Sequence, residues 1–232
     1  MFFGQLAKHL PPEFCHKYVF VDTPTDEIPS DCTIIEYERE GTTYRDQFAS
    51  CLCHVEEEYC VYVSEDYILY DNVRTDLVQA YMEVLIDNPR LSFIRFMRGG
   101  VVPGLPPQYA GHPNLYQMHH SFPYFYTNQV GIWRTKDLQL IHDHGPNLHI
   151  GGTDWEDSFE FQATKTCQEL DIQGVFCYHN EPKRGIYHYD CIVFPHISTA
   201  LVKGKWNIGE YPVALNALVE KYNISTEERG TV

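Results

Sequence analysis

Two acidic residues stand where carboxylates commonly do chemistry. The apolar run from Tyr59 to Val63 predicts a buried strand, and Ser64-Glu65-Asp66 follows it directly. In open α/β sheets, ligands bind beyond the carboxyl ends of the strands. A carboxylate pair there suits a hard divalent cation such as Mg²⁺ or Mn²⁺, which also bridges phosphate oxygens. The alternative interpretation is an acidic turn that caps the next segment.

A second acidic group lies later in the chain. Trp155-Glu156-Asp157 is followed one turn on by Glu160, near the start of a predicted helix. A carboxylate in this position can cap the helix or complement its dipole. It can also act as a general base that removes a proton from an acceptor hydroxyl. The residues alone leave both interpretations open.

The basic and sulfur-bearing residues give weaker signals. Arg45 opens a predicted helix, and Lys203 and Lys205 flank a glycine at a position where they could offset a diphosphate. The alternative for each is an ordinary solvated surface. Cys51-Leu52-Cys53-His54 and the paired histidines invite a zinc interpretation, but their spacing fits no closed structural site.

Composition limits the function classes. A formal net charge of −15 repels phosphate backbones, so nucleic acid is not expected as a partner. The chain contains no run of about 18 apolar residues, which excludes a spanning helix, and its first residues lack the layout of a signal peptide. The eight cysteines are then expected to be reduced thiols of a cytoplasmic protein.

Strand-like and helix-like segments alternate along the chain, which predicts an α/β fold with a central, mostly parallel sheet flanked by helices. The predicted strands are 18–21, 33–37, 59–63, 91–97, 126–133, 174–179 and 186–194. The predicted helices are 2–10, 44–55, 75–88, one from Thr135, and 156–169. The glycine- and proline-rich stretch 99–113 predicts a long loop.

The order of these segments resembles the nucleotide-sugar half of GT-A-type glycosyltransferases. The resemblance is carried by Tyr18 to Asp22, by Tyr44-Arg45-Asp46-Gln47-Phe48 on a helix, and by Tyr59 to Tyr67. In that group the acids after the strand form the DxD motif, and a strand precedes the first helix. This sequence begins at about that helix, so we expect the first strand to be absent.

The later half is similar to small GT-A enzymes of large DNA viruses and bacterial polysaccharide loci. Those enzymes have a segment like Gln129-Val130-Gly131-Ile132-Trp133-Arg134, then a Trp-plus-acid motif, and end near a Gly-Lys-Trp like 204–206. The resemblance covers residues 17 to 207. It implies a single three-layer domain over 1–232, with a nucleotide-sugar half at 1–98, an acceptor half at 114–207, and a C-terminal helix and tail at 208–232.

The resemblance also implies roles for individual residues. Asp66 with Glu65 would hold Mn²⁺ or Mg²⁺ at the donor diphosphate, and the base would be Glu156, Asp157 or Glu160. The remaining donor-binding residues would be Asp22, Thr23, Arg45, Lys203 and Lys205. The implied function is metal-dependent, inverting transfer of a sugar from a nucleotide-sugar donor, UDP-linked, to a glycan hydroxyl. The alternatives are a non-catalytic carbohydrate- or protein-binding module on the same fold, and a Cys/His metal enzyme of another class.

Overall fold

The computed structural model describes residues 1–101, 104–144, 158–184 and 188–232. Its helices are α1 (Phe2–His9), α2 (Tyr44–Leu52), α3 (Thr75–Asp87), α4 (Thr135–His144), α5 (Phe159–Glu169) and α6 (Pro212–Lys221). Its strands are β1 (Lys17–Val21), β2 (Cys32–Glu36), β3 (Tyr59–Tyr62), β4 (Ile68–Leu69), β5 (Leu91–Arg95), β6 (Leu115–Gln117), β7 (Gly131–Arg134), β8 (Gln173–Cys177), β9 (His196–Ile197), β10 (Leu201–Val202) and β11 (Lys205–Trp206).

The main sheet has the strand order β3-β7-β5-β8-β6. Strand β7 is antiparallel to both of its neighbours, β5 and β8 are parallel, and β6 is antiparallel to β8. Strands β3, β5 and β8 therefore share one direction, and their carboxyl ends meet at one edge. The predicted class, an α/β fold with a mostly parallel central sheet flanked by helices, is confirmed. The sequence pattern did not predict that β7 and β6 run against that direction.

Side chains alternate between two apolar cores, one on each face of this sheet. Ile132 packs into the core that contains Val78 and Leu85 of α3. Its neighbour Trp133 packs into the opposite core, which receives α2, α4 and α5. Because successive strand residues point to opposite faces, every central strand serves both cores. The result is three layers, with α3 and Leu6 of α1 on one side and the three helices α2, α4 and α5 on the other.

Strands β1 and β2 form a separate parallel pair. Phe20 of β1 packs on Phe48 of α2, with ring centroids 5.6 Å apart, and Phe48 packs on Tyr62 of β3 at 4.9 Å. Helix α2 thus joins the two-stranded sheet to the main sheet. Among the described strands, β1 pairs only with β2, and β3 pairs only with β7. Both β1 and β3 therefore keep one unpaired edge.

Two predicted strands are wrong in extent. The strand expected at 126–133 begins only at Gly131, because the backbone amides of Tyr126 and Asn128 donate to side chains of α5 instead of to a neighbouring strand. The strand expected at 186–194 forms isolated bridges in its described part. There the chain turns locally, and the Phe194 amide donates to the Cys191 thiol. Within the described ranges, no helix is both long enough and apolar enough to cross a bilayer.

We expect Gly131→Ala to destabilise the fold. A Cβ at this position would lie 2.7 Å from the backbone oxygen of Ile94, which cannot move without distorting the ladder. Overpacking of this kind costs about 1–3 kcal/mol in the free energy of unfolding. Urea unfolding measures it, with Gly209→Ala as the control, because a Cβ there makes an ordinary contact at 3.4 Å. Equal midpoints for the two variants would contradict the close approach of β7 and β5.

Candidate functional site

The acidic turn lies where the sequence predicts it, directly beyond the carboxyl end of β3. The Tyr67 amide donates to the Ser64 carbonyl at 3.0 Å and closes the turn. The Ala200 amide, which precedes β10, donates to the Asp66 carbonyl at 3.2 Å. The backbone of Ser64-Glu65-Asp66 is therefore fixed both from within and from a distant part of the chain.

The carboxyl of Asp66 is half-buried, whereas Glu65 is exposed. Burial, together with the neighbouring Glu65 carboxylate, raises the pKa of Asp66 to about 6. Among the described residues, no ion pair joins either acid to a cation. A pair of carboxylates that repel each other and lack a countercharge favours binding of a cation.

A chain of hydroxyl groups supports the turn. The phenols of Tyr44 and Tyr62 are 2.9 Å apart, and Tyr62 is 2.9 Å from the Ser64 hydroxyl. Tyr62 lies on the face of β3 that packs with α2, two residues before Ser64. The position of the turn is thereby coupled to the start of α2, where Tyr44 is the first residue.

Glu160 lies at the same edge of the sheet. Its Oε1 accepts a hydrogen bond of 2.8 Å from the Asn128 amide, three residues before Gly131, which pairs with Tyr62. Burial raises the pKa of the Tyr67 phenol well above its ordinary value, and the carboxylates of Asp66 and Glu160 both add to the rise. One buried phenol is thus within electrostatic reach of both acidic groups.

The pKa of Glu160 is itself raised, mainly by burial, against the lowering effects of the Asn128 amide and of Arg95. A carboxylate with a raised pKa is a stronger base near neutral pH. The other two candidate bases, Glu156 and Asp157, lie outside the described residues.

The predicted nucleoside-binding residues lie at the end of β1. Asp22 forms an ion pair of 2.8 Å with Arg39, and Thr23 is exposed. Burial raises the pKa of the Tyr37 phenol, and the carboxylates of Asp22 and Glu65 add to that rise. The carboxyl ends of β1 and β3 therefore lie on the same side of the molecule.

The predicted cations differ in their surroundings. Arg45 is buried, and its Nε donates to the His142 carbonyl near the end of α4. Its Nη1 is enclosed without a hydrogen-bond partner among the described residues. Lys203 and Lys205 are exposed around the tip of the β10–β11 hairpin, whose turn residues Lys203 and Gly204 both have positive φ. This hairpin begins one residue after Ala200, which is bonded to Asp66.

Sequence reasoning missed several side chains at this edge. Arg95 is the clearest, because it is the one charged residue of the mostly apolar strand β5, which is itself a signal. It is 3% exposed and donates to the carbonyls of Tyr124 and Phe125. Tyr62 could have been found from its spacing, since residues two apart on a strand share a face.

The residues present fit a divalent metal that is shared with a phosphate ligand. The described residues contain no group of three or more His, Cys, Asp or Glu side chains that could enclose an ion. Mg²⁺ is commonly held by only one or two carboxylates, with phosphate oxygens and water completing its octahedron. Asp66 and Glu65 match that smaller requirement.

Comparison with known proteins shows neither a family nor an activity for this chain. No family model and no curated protein matches this chain. Solved structures do match: an apo UDP-glucose pyrophosphorylase (6% identity, TM-score 0.46, covering 83% of this chain and 66% of that chain), a UDP-glucose pyrophosphorylase complexed with UDP-glucose (10%, 0.46, 82% and 67%), and a CMP:2-keto-3-deoxy-manno-octonic acid synthetase complexed with CTP (10%, 0.40, 70% and 71%). The chain thus spans about two thirds of the length of the pyrophosphorylases. Likeness at this level assigns no activity to the chain.

We expect Asp66→Asn to be more stable than the wild type at neutral pH. The folded-state pKa of about 6 exceeds the ordinary value of about 4, so the wild type loses stability as pH rises through that interval. The gain in the variant should be absent below about pH 4 and reach about 1–3 kcal/mol above pH 6. Urea unfolding across pH 3.5–8 measures it.

Asp76→Asn is the matched control, because Asp76 is exposed and its pKa is lowered by its bonds to Arg74. That variant should show no gain at neutral pH. If Asp66→Asn is no more stable than the wild type at pH 7, the raised pKa of the Asp66 carboxyl is contradicted.

Proposed function

We propose that this protein is a metal-dependent glycosyltransferase that moves a sugar from a nucleotide-sugar donor, UDP-linked, to a hydroxyl of a glycan acceptor. The observation that supports it best is the pair Glu65 and Asp66. These acids follow β3, an outermost strand of the main sheet, lack a countercharge among the described residues, and lie at the same carboxyl-end side of the sheet as Glu160. The single-domain arrangement and a cytoplasmic location belong to the same proposal.

The proposed donor site is assembled from three parts of the chain. Asp66 and Glu65 would hold Mn²⁺ or Mg²⁺, which when bound offsets the negative charge that gathers on the departing nucleoside diphosphate. Asp22 and Thr23, at the end of β1, would face the nucleoside. Lys203 and Lys205 would add positive charge at the diphosphate from the hairpin anchored at Asp66.

The acceptor hydroxyl needs a base. Glu160 is the candidate among the described residues, because its half-buried carboxyl has a raised pKa and stands at the edge that holds the acidic turn. Glu156 and Asp157 remain candidates for the same role. Arg45 would contribute to donor binding from the start of α2. This is the helix whose first residue, Tyr44, contacts the phenol of Tyr62. Direct displacement by the activated hydroxyl would invert the configuration of the sugar.

Removal of the Asp66 carboxylate should abolish turnover. The substrates are UDP-glucose and a panel of other UDP-sugars. Mn²⁺-dependent transfer or donor hydrolysis should fall at least about 100-fold in Asp66→Ala, because the variant loses a ligand of the metal that would stabilise the diphosphate charge. Release of UDP in a coupled assay measures the rate, and Asp76→Ala is the control. Unchanged turnover in Asp66→Ala would remove Asp66 from the mechanism.

The same preparations separate the alternatives. Sugar or nucleotide binding without any turnover in the wild type would favour the non-catalytic module. Release of pyrophosphate from UTP and a sugar 1-phosphate would instead identify a nucleotidyltransferase. Either result would overturn the proposal of glycosyl transfer.

The hairpin lysines should contribute to phosphate binding. In the double variant Lys203→Ala, Lys205→Ala, the Kd for UDP with Mn²⁺ should rise about 5- to 30-fold, whereas the Kd for uridine should not change, because only the diphosphate is anionic. Calorimetry measures both constants. Lys136→Ala, an exposed lysine on α4, is the control. Equal losses for UDP and uridine would contradict a phosphate contact.

A further inference from the structure

Two consecutive residues at the site carry side-chain amide oxygens that accept no hydrogen bond from the described residues. Oδ1 of Asn128 and Oε1 of Gln129 are both enclosed by protein, and neither has a partner among the described residues. Buried acceptors are almost always paired in native proteins, and an unpaired one carries a desolvation penalty. Two such oxygens on consecutive residues are therefore a feature that calls for a ligand.

The two residues lie at the edge that carries the acidic turn. Gln129 is two residues before Gly131, which pairs with Tyr62 at the end of β3 and with Arg95 at the end of β5. Val130, which lies between Gln129 and Gly131, continues that pairing, because the Phe96 amide donates to the Val130 carbonyl at 2.9 Å. The amides thus stand beside the point where β3 passes into Ser64-Glu65-Asp66.

The segment that carries them is held in place by polar side chains from two elements. Arg95 of β5 donates to the carbonyls of Tyr124 and Phe125, at 2.8 and 2.7 Å. From α5, the Thr164 hydroxyl accepts from the Tyr126 amide at 3.1 Å, and Glu160 accepts from the Asn128 amide at 2.8 Å.

This segment is therefore fixed from both ends without belonging to a strand. Amides presented in this way are preorganised, which lowers the entropy lost when a ligand binds.

We propose that Asn128 and Gln129 recognise hydroxyl groups of the sugar carried by the nucleotide donor. An amide oxygen has no net charge, so it suits a hydroxyl donor better than a cation, for which the neighbouring carboxylates are better ligands. Two acceptors on consecutive residues can each receive a hydrogen bond from a sugar hydroxyl. This assignment rests on the proposed function and extends it to the recognition of the sugar.

Separate binding measurements with UDP and with a UDP-sugar test the assignment. In Gln129→Met and Asn128→Leu, the Kd for the tightest-binding UDP-sugar with Mn²⁺ should rise about 5- to 15-fold, and the Kd for UDP should not change. The urea midpoint of the free variants should stay equal or rise, because each substitution removes a buried acceptor that had no partner. Gln173→Met is the matched control, since its amide lies at the opposite end of β8.

The outcomes separate the two proposals. If the wild type binds neither UDP nor any UDP-sugar, the proposed function fails and this assignment falls with it. If the wild type binds a UDP-sugar but the variants keep its affinity, or lose affinity for UDP to the same extent, only the amide assignment fails. A lowered urea midpoint in both variants would show that the amides are structural, and would also overturn it.

Discussion

Strand β7 runs antiparallel between β3 and β5, and its position decides which parts of the chain meet at the acidic turn. The insertion depends on Gly131, because any side chain there would collide with the backbone oxygen of Ile94. Since β7 enters against the direction of its neighbours, the residues that precede it arrive at the carboxyl ends of β3 and β5. Asn128 and Gln129 are in this way brought beside Ser64-Glu65-Asp66.

The same edge concentrates groups that a stable core would avoid. Asp66 is held half-buried beside another carboxylate, and its pKa rises to about 6 in consequence. Arg95 is almost fully buried, and its pKa falls to about 10. Such arrangements oppose folding, and they persist where the surrounding structure fixes them. Their clustering at one edge of the sheet is what supports a functional site there.

Side-chain hydrogen bonds hold this edge of the sheet in place beyond the last hydrogen bonds between its strands. The Tyr44–Tyr62–Ser64 hydroxyl chain links the acidic turn to α2. Arg95 links the segment at Tyr124 and Phe125 to β5, and Glu160 links its end to α5. Every helix on this face of the sheet except α4 thus contributes directly to the support, and α4 takes part through the bond from Arg45 to the His142 carbonyl.

The sequence by itself determined the α/β class, most of the central elements and the strand-end position of Glu65 and Asp66, because hydrophobic periodicity and strand-to-turn transitions are local signals. It did not predict that β7 lies between β3 and β5, or that β7 begins only at Gly131. Pairing partners and register depend on contacts far apart in the chain, which local patterns do not encode. For the same reason, only the tertiary structure brought Glu160, Arg95 and the amide side chains of Asn128 and Gln129 to the edge that carries Asp66.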